Sequence, residues 1–220
     1  MKISIIFFFL VITLHRGCQD ESAEPSGLNR PTYTPLHVGD VQQLINLADS
    51  STILLKISGT VKRGDGIEVF VQKRYYGNKK PDTMYYFIKD GYYSSTMLYK
   101  IFNTDNPYGE QRLCKANPVD GETWLCAPHN DTASFMVAKY YGEKSVLCGT
   151  FTNVYCFSRV DLSSGIADTI GSGLFAENIG FIGTKRNNHF NQDLSVSYAR
   201  VGDQEYGALW PMKPIAQEKK

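Results

Sequence analysis

Along most of this chain, apolar residues recur at every second position. Ile53, Leu55 and Ile57 face one way while Leu54, Lys56 and Ser58 face the other, which is the period of a β-strand. Ile67, Val69 and Val71 repeat the period, and Gly64-Asp65-Gly66 between the two runs marks a hairpin turn. Upstream, Val41, Leu44, Ile45 and Ala48 have helical spacing behind Asp40, a candidate N-cap. The competing reading is a strand over Leu44 to Leu47 with a turn at Asp49-Ser50-Ser51, and the alternation that follows favours it. Phe135 to Ala138, Ser145 to Thr150 and Val154 to Val160 read as a three-strand meander, with a turn at Gly142-Glu143-Lys144. Gly180 to Thr184 is another short strand, Lys185 to Asp193 a polar loop, and Leu194 to Val201 alternates again. No amphipathic helix is visible after residue 50. The pattern predicts an all-β chain.

Composition agrees with this. The 14 Tyr, 12 Phe and 19 Gly suit sheet and turns rather than helix. Four Tyr pairs occur: Tyr75-Tyr76, Tyr85-Tyr86, Tyr92-Tyr93 and Tyr140-Tyr141. An aromatic platform for a sugar or peptide is the sharper reading of them. Adjacent strand residues point to opposite faces, so one core ring and one surface ring per pair is the plainer expectation. A net charge of +1 gives no electrostatic reason to expect nucleic acid or an anionic membrane as partner. Lys73, Arg74, Lys79 and Lys80 form a local basic loop, read as a solvated cluster in preference to a glycan patch.

The N-terminus reads as an export signal over residues 1–18, with Lys2 before an apolar run from Ile3 to Leu14. The run is too short for a comfortable membrane span of about 20 residues. Cleavage is expected between Gly17 and Ala23, and a retained signal anchor is the competitor. A lipid anchor at Cys18 is disfavoured because His15-Arg16-Gly17 lacks the usual small and apolar residues. The chain is thus expected to be secreted or extracellular. Residues 19–39, with Pro25, Pro31 and Pro35, read as a polar linker or arm, residues 40–205 as the folded unit, and residues 206–220 as a tail.

Export makes the four cysteines outside the leader, Cys114, Cys126, Cys148 and Cys156, read as disulfides. Three connectivities are open, and pairing of near neighbours is preferred. Each such short loop stabilises by about 2–3 kcal/mol. Metal binding is disfavoured because no Cys-x-x-Cys spacing occurs. Asn130-Asp131-Thr132 is the one glycosylation sequon, which places Asn130 in water.

Catalytic patterns are weak. Gly171-Ser172-Gly173-Leu174-Phe175-Ala176 fits the dinucleotide fingerprint G-x-G-x-x-A, but Asn178 and Gly180 break the helix that would hold a pyrophosphate. It reads as a chance match in a Gly-rich loop. His37, His129 and His189 are far apart, without carboxylate spacing or a nucleophile elbow. An exported hydrolase built on one of them is the weakest reading. No enzyme, cofactor or metal is expected.

The run Cys114, Cys126, Phe135 to Ala138, Ser145-Val146-Leu147-Cys148-Gly149-Thr150, then Cys156-Phe157-Ser158-Arg159-Val160-Asp161-Leu162 resembles the N-terminal part of a plexin sema domain. Phe181 to Thr184 and Val196 to Val201 are similar to that family's next outer strands, and Gly59-Thr60 to its first Gly-containing strand. The resemblance covers roughly residues 40 to 202, is specific over Cys114–Leu162, and fails over Lys73 to Tyr108. It implies a partial β-propeller of about three to four four-stranded blades, with disulfides Cys114–Cys126 and Cys148–Cys156. It implies recognition of a semaphorin-type ligand, or another cell-surface protein, in cell guidance or adhesion; self-association stays open. No ligand-contact residue carries over. A sema propeller needs roughly twice this length to close, so the resemblance further implies a fragment or truncated form with an exposed strand edge. The alternative from a different class is a complete small secreted β-barrel or sandwich that carries an apolar ligand.

Overall fold

The computed structural model describes residues 33–77, 79–100, 106–127, 131–162, 165–184 and 193–212, with side chains of 131–133 excepted. The expected export signal, the expected arm up to residue 32, Asn130, His129 and His189 lie outside the described residues. Thirteen strands are present among them and no helix. They are β1 (Val41–Asn46), β2 (Thr52–Lys62), β3 (Glu68–Tyr75), β4 (Asp82–Lys89), β5 (Tyr92–Thr96), β6 (Gln111–Lys115) and β7 (Thr123–Ala127). The remainder are β8 (Asp131–Val146), β9 (Gly149–Asp161), β10 (Asp168–Ala176), β11 (Gly180–Thr184), β12 (Leu194–Val201) and β13 (Gln204–Gly207). The chain is all-β, as its alternation predicts.

The strands form one antiparallel sheet in the order β6-β5-β4-β3-β2-β1-β12-β11-β10-β9-β8-β7, with β13 added beside β12. Every neighbour but one is also a sequence neighbour, so nearly all pairing is by hairpin. The exception, β1 on β12, joins the two halves: Leu44 lies opposite Val196 and Val41 opposite Arg200. The sheet then curls into a nearly closed twelve-strand barrel. Its two free ends, β6 and β7, meet through an ion pair of Lys115 with Glu122 and a contact of the Tyr92 and Trp124 rings at 6.1 Å. This arrangement corrects the expectation of three or four separate four-stranded blades, because hydrogen bonding runs on from strand to strand without a break into blades. It also meets the edge problem differently, by bringing the edges together.

Some local expectations change. Gly142, expected in a turn, sits inside β8 at φ 74° where the β8–β9 register shifts. A glycine at positive φ serves a bulge as readily as a turn. The meander is therefore one long hairpin, turning at Leu147-Cys148. Gly171 to Ala176, expected in a loop, belongs to β10. The expected linker ends early: Tyr33 and Thr34 are buried. The expected tail begins late, since Tyr206 belongs to β13 and the Trp210 backbone N–H donates to Gln43 Oε1 at 2.6 Å.

Two core clusters follow from strand alternation. On β9, Phe157 packs with Tyr86, Tyr93, Trp124 and Met136, whereas Val154 and Cys156 pack with Leu174, Ala176 and Val196. Neighbouring positions point to opposite faces, so β9 is covered on both. Part of the second cover is the hairpin tip, because Val146, Cys148 and Phe151, with Tyr206, pack against that cluster. The tip is held on β12 by the Leu147 N–H donating to Ser195 Oγ at 3.1 Å and the Cys148 N–H donating to the Val196 carbonyl at 3.0 Å. Six consecutive residues of β12, Leu194 to Ala199, are buried as a result.

Candidate ligand cavity

Alternation that buries one face of a curled sheet leaves an interior to be filled. Here it is not filled completely. A cavity of about 330 Å³ remains. Ile53, Leu55 and Ile57 of β2 supply one wall, with Leu44 of β1 beside them. Phe175 of β10, Phe181 of β11 and Leu194 of β12 supply another. The segment Thr34 to Leu36 lies against it, anchored by Tyr33, whose ring meets those of Tyr155 at 5.4 Å and Phe157 at 6.2 Å. Gly173 makes room for this aromatic row: a Cβ there would lie 2.8 Å from the Phe175 ring and 3.3 Å from that of Phe181.

Polar groups enter from β3. Gln72 and Arg74 alternate on this strand, Tyr76 follows it, and all three line the cavity with Tyr86, Tyr93 and Gln42. Gln42 is already used, since its Nε2 donates to the Ile179 carbonyl at 2.9 Å. Asp40 is used as well, accepting from the backbone N–H groups of His37 and Gly202 at 2.9 Å each. Arg74 is only partly used. One terminal nitrogen reaches Asp82 Oδ2 at 3.5 Å, while Nε is buried without a hydrogen-bond partner. Tyr86 and Tyr93 stack with ring centres 5.0 Å apart. Burial holds both phenols above their ordinary value, with the Arg74 charge working the other way on Tyr86. They are therefore neutral hydrogen-bond donors at neutral pH.

A second cavity of about 310 Å³ is polar and lies around Arg63. Arg63 is held there by Asp65 and Glu110 at 2.6 Å each and Thr96 Oγ1 at 2.9 Å. Burial opposes its charge, but the hydrogen bonds to the two carboxylates outweigh that and raise its pKa. These contacts tie the end of β2 to the segment before β6 and use four of the five Arg63 N–H donors within the protein.

The cysteines fall into two groups. Cys114 and Cys126 are buried in one core cluster, where the Cys114 sulfur lies 3.8 Å from Thr34 Oγ1. Cys156 belongs to the other cluster, and Cys148 packs on it. Cys156 is opposite Leu174, Leu174 opposite Gly183, and Gly183 opposite Ser195, next to the Val196 that Cys148 contacts. Three strand spacings come to about 14 Å, twice the Cα separation a disulfide spans. In this structure Cys148 and Cys156 are not bridged. As thiols, Cys114 and Cys148 are pushed up by burial to about 12 and about 11, which makes them poor nucleophiles.

Of the remaining expectations, His37 is exposed beside Asp40. Tyr86 and Tyr93 are the core members of their pairs, while Tyr140 and Tyr141 are both exposed. Lys73 and Arg74 belong to β3 instead of a basic loop. Among the described residues, no group of three or more His, Cys, Asp or Glu could hold a metal, and no helix is long and apolar enough to cross a membrane. Arg74 lines the cavity although it stands in a basic run; the signal in the sequence is its alternation with Gln72, which continues the strand period.

The fold and cavity together define a nearly closed antiparallel β-barrel with an incompletely filled interior. Comparison with family models, with curated proteins and with solved structures returned no match.

Proposed function

We propose that this chain is an exported binding protein that carries a small apolar ligand inside its barrel. The observation that carries this reading is the cavity of about 330 Å³ walled by Ile53, Leu55, Ile57, Phe175 and Phe181. Ligand sites are commonly concave, mostly apolar, and supplied with a few placed polar groups, at volumes from about 300 Å³ upward. The leader over residues 1–18 supports work outside the cell. Binding needs no covalent step. Recognition of a semaphorin-type partner has less support, because the residues of the sema resemblance lie in strands of one continuous sheet, which offers no propeller surface.

The test is binding of a fluorescent apolar probe, 1-anilinonaphthalene-8-sulfonate, to the recombinant chain. Saturable binding at one site is expected. The variant Leu55→Trp fills the cavity and should abolish it while leaving the circular dichroism spectrum unchanged. Probe binding that survives Leu55→Trp would place the site elsewhere and end the reading.

A further inference from the structure

The cavity contains one feature that an apolar ligand alone does not explain. Arg74 brings a full positive charge to a wall shared with Leu55, Ile57 and Phe181. The Arg74 side chain is half-buried, 30% exposed, and the part of a guanidinium that is withdrawn from water carries a desolvation cost unless it is hydrogen-bonded. Among the described residues its anionic contact is Asp82 at 3.5 Å, at the long end for a charge-assisted bond, and the Asp82 side chain is 58% exposed. Its Nε is buried and has no partner. Nε and the adjacent terminal nitrogen form the fork that takes a carboxylate in two parallel hydrogen bonds.

The neighbours suit the same ligand. Gln72, Tyr86 and Tyr93 share the cavity wall. The phenols are neutral donors, raised by burial, and Arg74 is close enough to act on Tyr86. Asp40, the carboxylate among the residues that line the cavity, is turned to the His37 and Gly202 backbone. An anion at Arg74 thus meets donors from three strands.

Resting on the proposed function, we propose that the ligand is an amphipathic carboxylate, an apolar chain or ring system ending in an acid group that pairs with Arg74. The apolar body lies along β2 and toward Phe175 and Phe181. Asp82 holds the guanidinium while the site is empty and competes with the ligand for it.

The experiment uses calorimetric titration with two probes of one chain length, dodecanoate and dodecan-1-ol. The wild-type chain should bind dodecanoate roughly ten- to hundredfold tighter than the alcohol, the range for a hydrogen-bonded charge. Arg74→Met should remove that preference by bringing dodecanoate down to the affinity of the alcohol, with an unchanged circular dichroism spectrum as the control for folding. Asp82→Asn should tighten dodecanoate binding and leave the alcohol unchanged. Equal affinity for the two probes in the wild-type chain would overturn the carboxylate inference while keeping the apolar cavity. Binding of neither probe would overturn both.

Discussion

The guanidinium carbon of Arg63 lies 4.4 Å from the centre of the Tyr108 ring, and 5.0 Å from that of Phe87. It is 3% exposed, and two carboxylates reach it at 2.6 Å. A cation so placed is held by charge, by hydrogen bonds and by two aromatic faces together. It joins the β2–β3 turn to the chain entering β6, at the open flank of the barrel.

Replacing Arg63 therefore strips the anchor from three groups. Arg63→Met is expected to lower stability by about 2–4 kcal/mol, toward the low end of buried-pair losses because Asp65 and Glu110 are partly solvated. Urea denaturation followed by tryptophan fluorescence measures it. The same contact predicts an acid limb. The hydrogen bond from Arg63 holds the Asp65 carboxyl below its ordinary 3.8, against the opposing effect of burial. A lowered folded pKa stabilises above the unfolded value, and that contribution is lost as pH falls. Stability should thus decline below about pH 4, and the decline should be shallower in Arg63→Met.

Much of the barrel was legible because one face of each strand is interior. Ile53, Leu55 and Ile57 show the strand period for that reason, and β11 and β12 fall where their patterns put them. Closure was not legible. It depends on β1 pairing with β12 across about 150 residues of chain, and no local pattern encodes that partner. The cysteine spacing says little for a related reason: where Cys148 lies is set by the β8–β9 tip folding onto β12, which the count of eight positions does not encode. Arg74 was hidden by its company. Beside Lys73, Lys79 and Lys80 it reads as one more charge of a solvated cluster, and only the strand register of β3 distinguishes it.

An alkaline limb is expected from the tyrosines. Burial, then the charge of Glu177, pushes the Tyr33 phenol up to about 12. Burial raises Tyr86 and Tyr93 as well. In the unfolded chain these groups lose their protons near pH 10. Between that value and the folded one, the folded state binds more protons, so stability falls as pH rises. Phenolate absorbance should lag in the native protein, leaving several of the 14 tyrosines un-ionised until unfolding releases them. A single smooth titration at pH 10 with the fold intact would contradict the burial of these rings.

Gly207 tests the outer cover of β12. Its φ is 72°, and a Cβ there would lie 2.5 Å from Cys148 Cβ and closer still to the Ser197 carbonyl. Gly207→Ala should therefore push the β8–β9 tip off β12, at a cost of about 2–3 kcal/mol from strain and overpacking. Hydrogen exchange should rise at the amides of Leu147 and Cys148, which donate to Ser195 and Val196. Gly202, also at positive φ but with open space around it, is the control: Gly202→Ala should carry the backbone strain without loosening the tip.

The seam between β6 and β7 is where a disulfide has most to do. No ladder joins these strands in the sheet order, and Cys114 and Cys126 lie in one cluster beside it. We propose that they are bridged in the exported protein. A loop this short stabilises by about 3 kcal/mol, which for a chain of this size corresponds to roughly 6–12 °C in Tm. Peptide mapping without reductant should recover Cys114 joined to Cys126. The double variant Cys114→Ser with Cys126→Ser should melt lower by that margin, and reductant should lower the wild type alone. The same map should show no Cys148–Cys156 peptide. Recovery of that bridge would require the β8–β9 tip to shift on β12, where Cys148 packs against the cluster of Val154, Leu174 and Val196.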